Sequence, residues 1–149
     1  MMRYLRLLLE NTTLLAAALS WFFAQIIKTI LTLIKSKKFV AERIFGAGGM
    51  PSAHSAMVCA LIMSIAHSPG INSPEFAIAF CFAAVVIYDA MGVRRAAGEH
   101  AKIINRMVDI MEKDGSDITE KDLQEYLGHT PIEVLAGVLL GILVSLAIM

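Results

Sequence analysis

The sequence predicts an all-α, polytopic membrane bundle of about four transmembrane helices plus one interfacial amphipathic helix. Three observations carry this. Of the 149 residues, 57% are hydrophobic and 17% charged, with a mean hydropathy of +0.67, whereas soluble domains carry about 25% charged residues. Four stretches, 12–34, 51–67, 75–92 and 132–149, come close to or reach the roughly 20 apolar residues that cross a bilayer. Between them lie short polar or Gly/Pro-rich connectors, with no internal repeat or low-complexity tract, so residues 1–149 read as a single membrane-embedded domain.

The first stretch is expected to stay in the mature protein, because its apolar run continues past Lys28 and no small-residue cleavage site closes it. Gln25 and Lys28 share one of its faces, three residues apart, and mark either an intramembrane polar site or a lysine that simply snorkels its ammonium to the nearer surface. The second stretch opens on "GGMPSAHSAM", where Pro51 at a first helical position and Ser52 beside it are helix-start residues. "SPGINSPE" then turns the chain sharply, making the second and third stretches an antiparallel hairpin. The third carries an acid, Asp89, which marks either a functional site or an ion-pair partner of Lys28 or Arg94.

A polar insert, 94–130, precedes the fourth stretch. Its first half, "RRAAGEHAKIINRMVDIMEK", spaces Ile103, Ile104, Met107, Val108 and Met111 for an interfacial amphipathic helix, and its second half is short and acidic. Thr130, Pro131 and Glu133 form a capping box with proline at the first helical position. His67 reads as interfacial and His100 as solvated. Cys59 and Cys81 sit in apolar runs without CxxC spacing, which suits buried thiols and defines neither a disulfide nor a metal site.

Thirteen basic and thirteen acidic residues cancel, so no global attraction draws the chain to nucleic acid; the bilayer is its partner. The placement of the charges is informative. With four crossings, segments 35–50 and 93–131 fall on one side of the membrane. His54 and His129 then reach the same face, each near a helix N-terminus, among Lys35, Lys37, Lys38, Arg43, Arg94, Arg95, Lys102 and Arg106. Helix N-termini attract anions through unpaired N–H groups and the positive dipole end, so this face suits a phosphate ester. The basic segments place it in the cytoplasm by the positive-inside rule, although "MMRYLR" puts basic residues on the opposite side.

"GGMPSAHSA" followed by "LGHTPIEVLAGVLLG", with "VIYDAMGVRRAAGEHAKIIN" between them, resembles the second and third signature motifs of the type-2 phosphatidic acid phosphatase superfamily, in its divergent membrane branch. That superfamily includes bacterial acid phosphatases and vanadium haloperoxidases. The resemblance implies hydrolysis of a lipid phosphate monoester, phosphatidate-like or prenyl, with no metal or cofactor assigned. His129 would attack phosphorus and form a phosphohistidine, and Glu133 would orient its imidazole. His54 would protonate the leaving oxygen, while Ser52 and the Ala53 N–H would hold phosphoryl oxygens.

The chain departs from the superfamily's pattern at several points. Glu133 stands where aspartate is usual, and Ala53 stands where the second motif has glycine. Lys37 and Lys38 precede Arg43 at the wrong spacing for the first motif, with no proline after it. Leu123 occupies the position of an expected arginine, leaving Arg94 or Arg95 to substitute. The alternative of a different class is a non-catalytic membrane module that binds anionic lipid headgroups. A scaffold this small implies a homodimer, with helices shared or exchanged.

Overall fold

The computed structural model describes residues 2–36, 49–113 and 128–149. Lys37, Lys38, Arg43 and the acidic half of the insert, 114–127, lie outside these. The described residues form helices, in the order α1 (Met2–Glu10), α2 (Thr12–Ser36), α3 (Ala53–Ile65) with a π turn over Ala66–Gly70, α4 (Pro74–Met91), α5 (Val93–Lys113) and α6 (Pro131–Ile148). This is the all-α membrane bundle that the composition predicts.

Large side chains and small ones have exchanged the places they take in a water-soluble core. The buried residues are mostly alanines, among them Ala16, Ala24, Ala53, Ala56, Ala60, Ala79 and Ala83, with several serines, while Phe22, Phe80, Phe82, Leu139 and Leu143 are exposed. Hydrocarbon is as apolar as leucine, so helices in a bilayer associate through close backbone approach at small residues and turn their bulky residues to lipid.

Helix α2 shows this as a stripe. Ala16, Ser20, Ala24 and Lys28, four residues apart, are all buried, on a helix whose 25 residues reach about 37 Å at 1.5 Å per residue. The Asn11 carboxamide oxygen starts it by accepting the Leu14 N–H at 2.9 Å. The preceding helix α1 is not anticipated by the sequence reading. It leaves Tyr4, Leu7, Leu8 and Leu9 exposed, as helices lying along a bilayer surface do.

Helix α3 is the centre of the bundle, packed on α2, α4 and α6. Ser52 caps it with extended dihedrals, φ −68° and ψ 113°, and its hydroxyl accepts the Ser55 N–H. Pro51 therefore precedes the helix and does not occupy its first turn. The expected second crossing is also shorter than 51–67. Its 13 α-helical residues reach about 20 Å, against about 30 Å of hydrocarbon. Extended backbone at Ser68 (φ −154°, ψ 118°) and Pro69, which has no N–H, stop the regular helix. Among the described residues three helical segments are long and apolar enough to span by themselves, Thr12–Ile34, Pro131–Ile148 and the one beginning at Pro74. Neighbouring helices flank α3 on several sides, so a short helix can sit there without matching the bilayer.

The α3–α4 hairpin forms as expected, with Ser73 capping α4 through the Phe76 N–H at 3.1 Å. Helix α5 follows directly after Gly92 and covers the predicted amphipathic segment, with Ile103, Ile104, Met107 and Ile110 exposed. Helix α6 has the predicted capping box, both halves present.

The α3–α6 contact is the tightest. A Cβ on Gly137 would overlap the Ser52 carbonyl oxygen and lie 3.0 Å from the Ser55 Cβ. One on Gly141 would overlap the Ala56 carbonyl and lie 3.0 Å from the Ala60 nitrogen. One turn further, the Ser145 and Ser64 hydroxyls hydrogen-bond at 3.2 Å. Glycine four residues from glycine is what allows two membrane helices to touch backbone to backbone.

Candidate functional site

Three chain segments converge at one end of the bundle, and backbone hydrogen bonds between them set the geometry. The Ser52 N–H donates to the Glu133 carbonyl at 2.9 Å, tying the entry of α3 to the first turn of α6. The His129 N–H donates to the Ala90 carbonyl at 3.0 Å, tying the residues before α6 to the last turn of α4. The start of α3, the end of α4 and the start of α6 thus share one end of the bundle, as the side count from sequence requires.

His129 is 3% exposed. Its Nδ1 lies 3.2 Å from the Glu133 Oε2. A carboxylate only accepts, so Nδ1 is the donor in this contact. The same Oε2 accepts the Thr130 N–H at 3.0 Å, and the Glu133 N–H donates to the Thr130 hydroxyl at 3.4 Å. One carboxylate oxygen therefore closes the capping box and fixes the imidazole.

The His54 ring faces that of His129, with centroids 6.4 Å apart and planes at 60°. Helix geometry explains the pairing. Ser52 is the cap of α3, so His54 falls in the first turn, and the Ser52–Glu133 bond brings that turn against α6. Ser52 is fully buried, and its oxygen accepts both the N–H and, at 3.0 Å, the hydroxyl of Ser55. Ala53 is buried beside it.

Lys28 is 2% exposed, deep on α2. Its stem passes Gly49, whose φ is +84° and whose missing Cβ would sit 3.4 Å from Lys28 Cγ and 3.6 Å from Cδ. The intramembrane lysine thus belongs to the neighbourhood of the segment leading into α3. Gln25, on the same face of α2, is buried, and its Oε1 has no hydrogen-bond partner among the described residues. Asp89 is half-buried, next to Ala90 in the last turn of α4. Arg94 and Arg95 lie in the first turn of α5, directly after the end of α4 that holds His129. His67 and His100 are exposed, away from the paired histidines in sequence and outside any contact with them among the described bonds.

Two features of the site escape the sequence reading. The spacing of Gly137 and Gly141 inside an 18-residue apolar helix is a packing signal visible in the sequence, and it seats α6 on the cap of α3. The Lys28–Gly49 contact joins residues too far apart in the chain for any local pattern to reveal.

The architecture and its polar end define a class: an α-helical membrane bundle with two histidines and a carboxylate gathered at the entries of two helices. The chain belongs to the divergent PAP2 family, whose pattern it matches over residues 9–144. It is 42% identical over 151 residues to the uncharacterized membrane protein YuiD of Bacillus subtilis (strain 168), covering 95% of this chain and 96% of that relative. No solved structure matches the chain.

Proposed function

We propose that the protein hydrolyses the phosphate monoester of a membrane lipid through a phosphohistidine at His129. The single observation that carries this reading is the His129–Glu133 contact at 3.2 Å facing the His54 ring at 6.4 Å. In-line displacement needs a nucleophile about 3–3.5 Å from phosphorus on one side. It also needs an acid within about 2.6–3.2 Å of the leaving oxygen on the other. With their centroids 6.4 Å apart, the two rings are near enough to act on one phosphoryl group.

In the first step His129 Nε2 forms the N–P bond as the P–O ester bond breaks, and the leaving oxygen takes a proton from His54. Water then attacks phosphorus from the same side, giving its proton back to His54, and the N–P bond breaks to release phosphate. Glu133 holds the imidazolium that forms, in the manner of an orienting carboxylate. The N-termini of α3 and α6 and the Ala53 N–H supply positive potential for the phosphoryl oxygens. We assign Lys28 as a further cation of this cradle, since its stem lies beside Gly49, three residues before the cap of α3, and a lysine inside the membrane marks a functional site.

Purified protein in detergent is expected to release inorganic phosphate from a lipid monophosphate, with inhibition by vanadate, which mimics the five-coordinate phosphorus. Binding of the lipid without phosphate release would replace this reading with the non-catalytic headgroup module.

A further inference from the structure

Between α2 and α6 runs an apolar groove of about 310 Å³, open to the side of the bundle, whose walls include Ile27, Leu31, Leu139 and Leu143 and whose head is formed by Met50 and Pro51. We infer that this groove binds the single hydrocarbon chain of a prenyl monophosphate whose phosphate sits at His129; the inference rests on the phosphate reading of that site.

Position, size and lining each bear on the occupant. Pro51 is followed directly by Ser52, the cap of α3 that is bonded to Glu133, so the head of the groove is continuous with the phosphate end. Leu143 lies twelve residues beyond Pro131, about 18 Å down α6, so the groove descends to membrane depth along two spanning helices. A cavity of about 150 Å³ holds the six carbons of benzene. By that measure 310 Å³ takes about a dozen carbons, which is part of one chain and too little for two acyl chains side by side.

The lining at the head also discriminates. A glycerolipid carries ester and hydroxyl oxygens between its phosphate and its chains, and a site for it needs donors there. Met50 and Pro51 provide apolar side chains, and proline has no N–H. A chain that begins at the phosphate ester oxygen needs no such donors.

The test uses the full protein in detergent micelles and farnesyl monophosphate carrying a diazirine at the chain terminus. Crosslinks are expected on the α2 and α6 peptides that contain Leu31 and Leu139, competed by unlabelled farnesyl phosphate and at least tenfold less by dioleoyl phosphatidate at equal mole fraction. Leu139→Trp and Leu31→Trp, one on each wall, are expected to cut crosslinking at least tenfold. Ile78→Trp, on the exposed outer face of α4, is expected to leave it at the parent level and controls for folding. Crosslinking unchanged by both wall variants, or competed equally by phosphatidate, overturns the groove assignment and leaves bulk lipid as its filling. Crosslinking that follows the expected pattern without phosphate release in the parent retains the groove and rejects hydrolysis, so the two readings fail separately.

Discussion

Glu133→Gln separates capping from catalysis at a residue whose one oxygen, Oε2, serves both. That atom accepts the Thr130 N–H at 3.0 Å and contacts His129 Nδ1 at 3.2 Å. A glutamine oxygen in the same place accepts from both groups, so the capping box survives, and with it the roughly 0.5–2 kcal/mol that a lost cap costs. What disappears is the negative charge. Its interaction with the N-terminal dipole of α6 is worth about 0.3–1 kcal/mol, equivalent to a melting shift of no more than about 4 °C for a domain near this size. On the proposed mechanism the imidazolium that forms at His129 loses far more, because loss of an orienting carboxylate costs about 10⁴-fold in serine proteases. A fall of at least a hundredfold is therefore expected, about 2.7 kcal/mol of transition-state stabilisation. The assay is thermal unfolding in detergent alongside phosphate release on the same preparation. Turnover within threefold of the parent, with unchanged melting, would refute the orienting role and reduce Glu133 to a cap.

His54→Ala is expected to lower hydrolysis of an alkyl phosphate by about 10²–10⁴-fold while sparing p-nitrophenyl phosphate, whose leaving oxygen needs no proton; equal losses on both substrates count against His54 as the acid. Lys28→Met is expected to weaken vanadate inhibition at least tenfold, about 1.4 kcal/mol, and an unchanged inhibition constant would return Lys28 to a structural role. Gly137→Ala places a methyl on the Ser52 carbonyl and is expected to destabilise by about 1–3 kcal/mol and to cut activity with it, whereas Leu135→Ala, on an exposed position of the same helix, should do neither; melting temperatures and phosphate release on the two variants check this.

The features legible in the sequence are those written in a few adjacent residues. The Thr130–Glu133 capping box, the turn around Pro69 to Pro74 and the 3.6-residue periodicity of α5 each depend on neighbours in the chain, and each forms as expected. The entry of α3 shows the limit of such signals. Pro51 and Ser52 both suit a helix start, and only the bond from Ser52 to Glu133, across the bundle, fixes which one is the cap. The length of α3 was illegible for a related reason. Hydropathy measures how apolar a segment is, and a central helix covered by protein is as apolar as one covered by lipid. Helix α1 carries two arginines and a glutamate in its nine residues, a composition that gives no apolar run. The basic residues named for phosphate contact divide similarly: Arg94 and Arg95 stand in the first turn of α5, while Lys37, Lys38 and Arg43 fall outside the described residues.

The packing seam and the site are one construction. Gly137 lies against the Ser52 carbonyl and Gly141 against the Ala56 carbonyl, so the two glycines set the height of α6 along α3. Ser64 and Ser145, hydrogen-bonded at 3.2 Å, hold the same register lower down. A slip by one turn would move α6 by about 5.4 Å, comparable to the 6.4 Å between the His54 and His129 rings, and would break the Ser52–Glu133 bond that joins the two helix entries. Leucine or valine at the seam would satisfy hydropathy equally well and still fail, because no branched side chain lets two backbones meet closely enough to keep the two histidine rings at this separation. The small residues of α3 and α6 thus position the two histidines, and substitutions there should alter the proposed activity through ring separation before they alter insertion into the membrane.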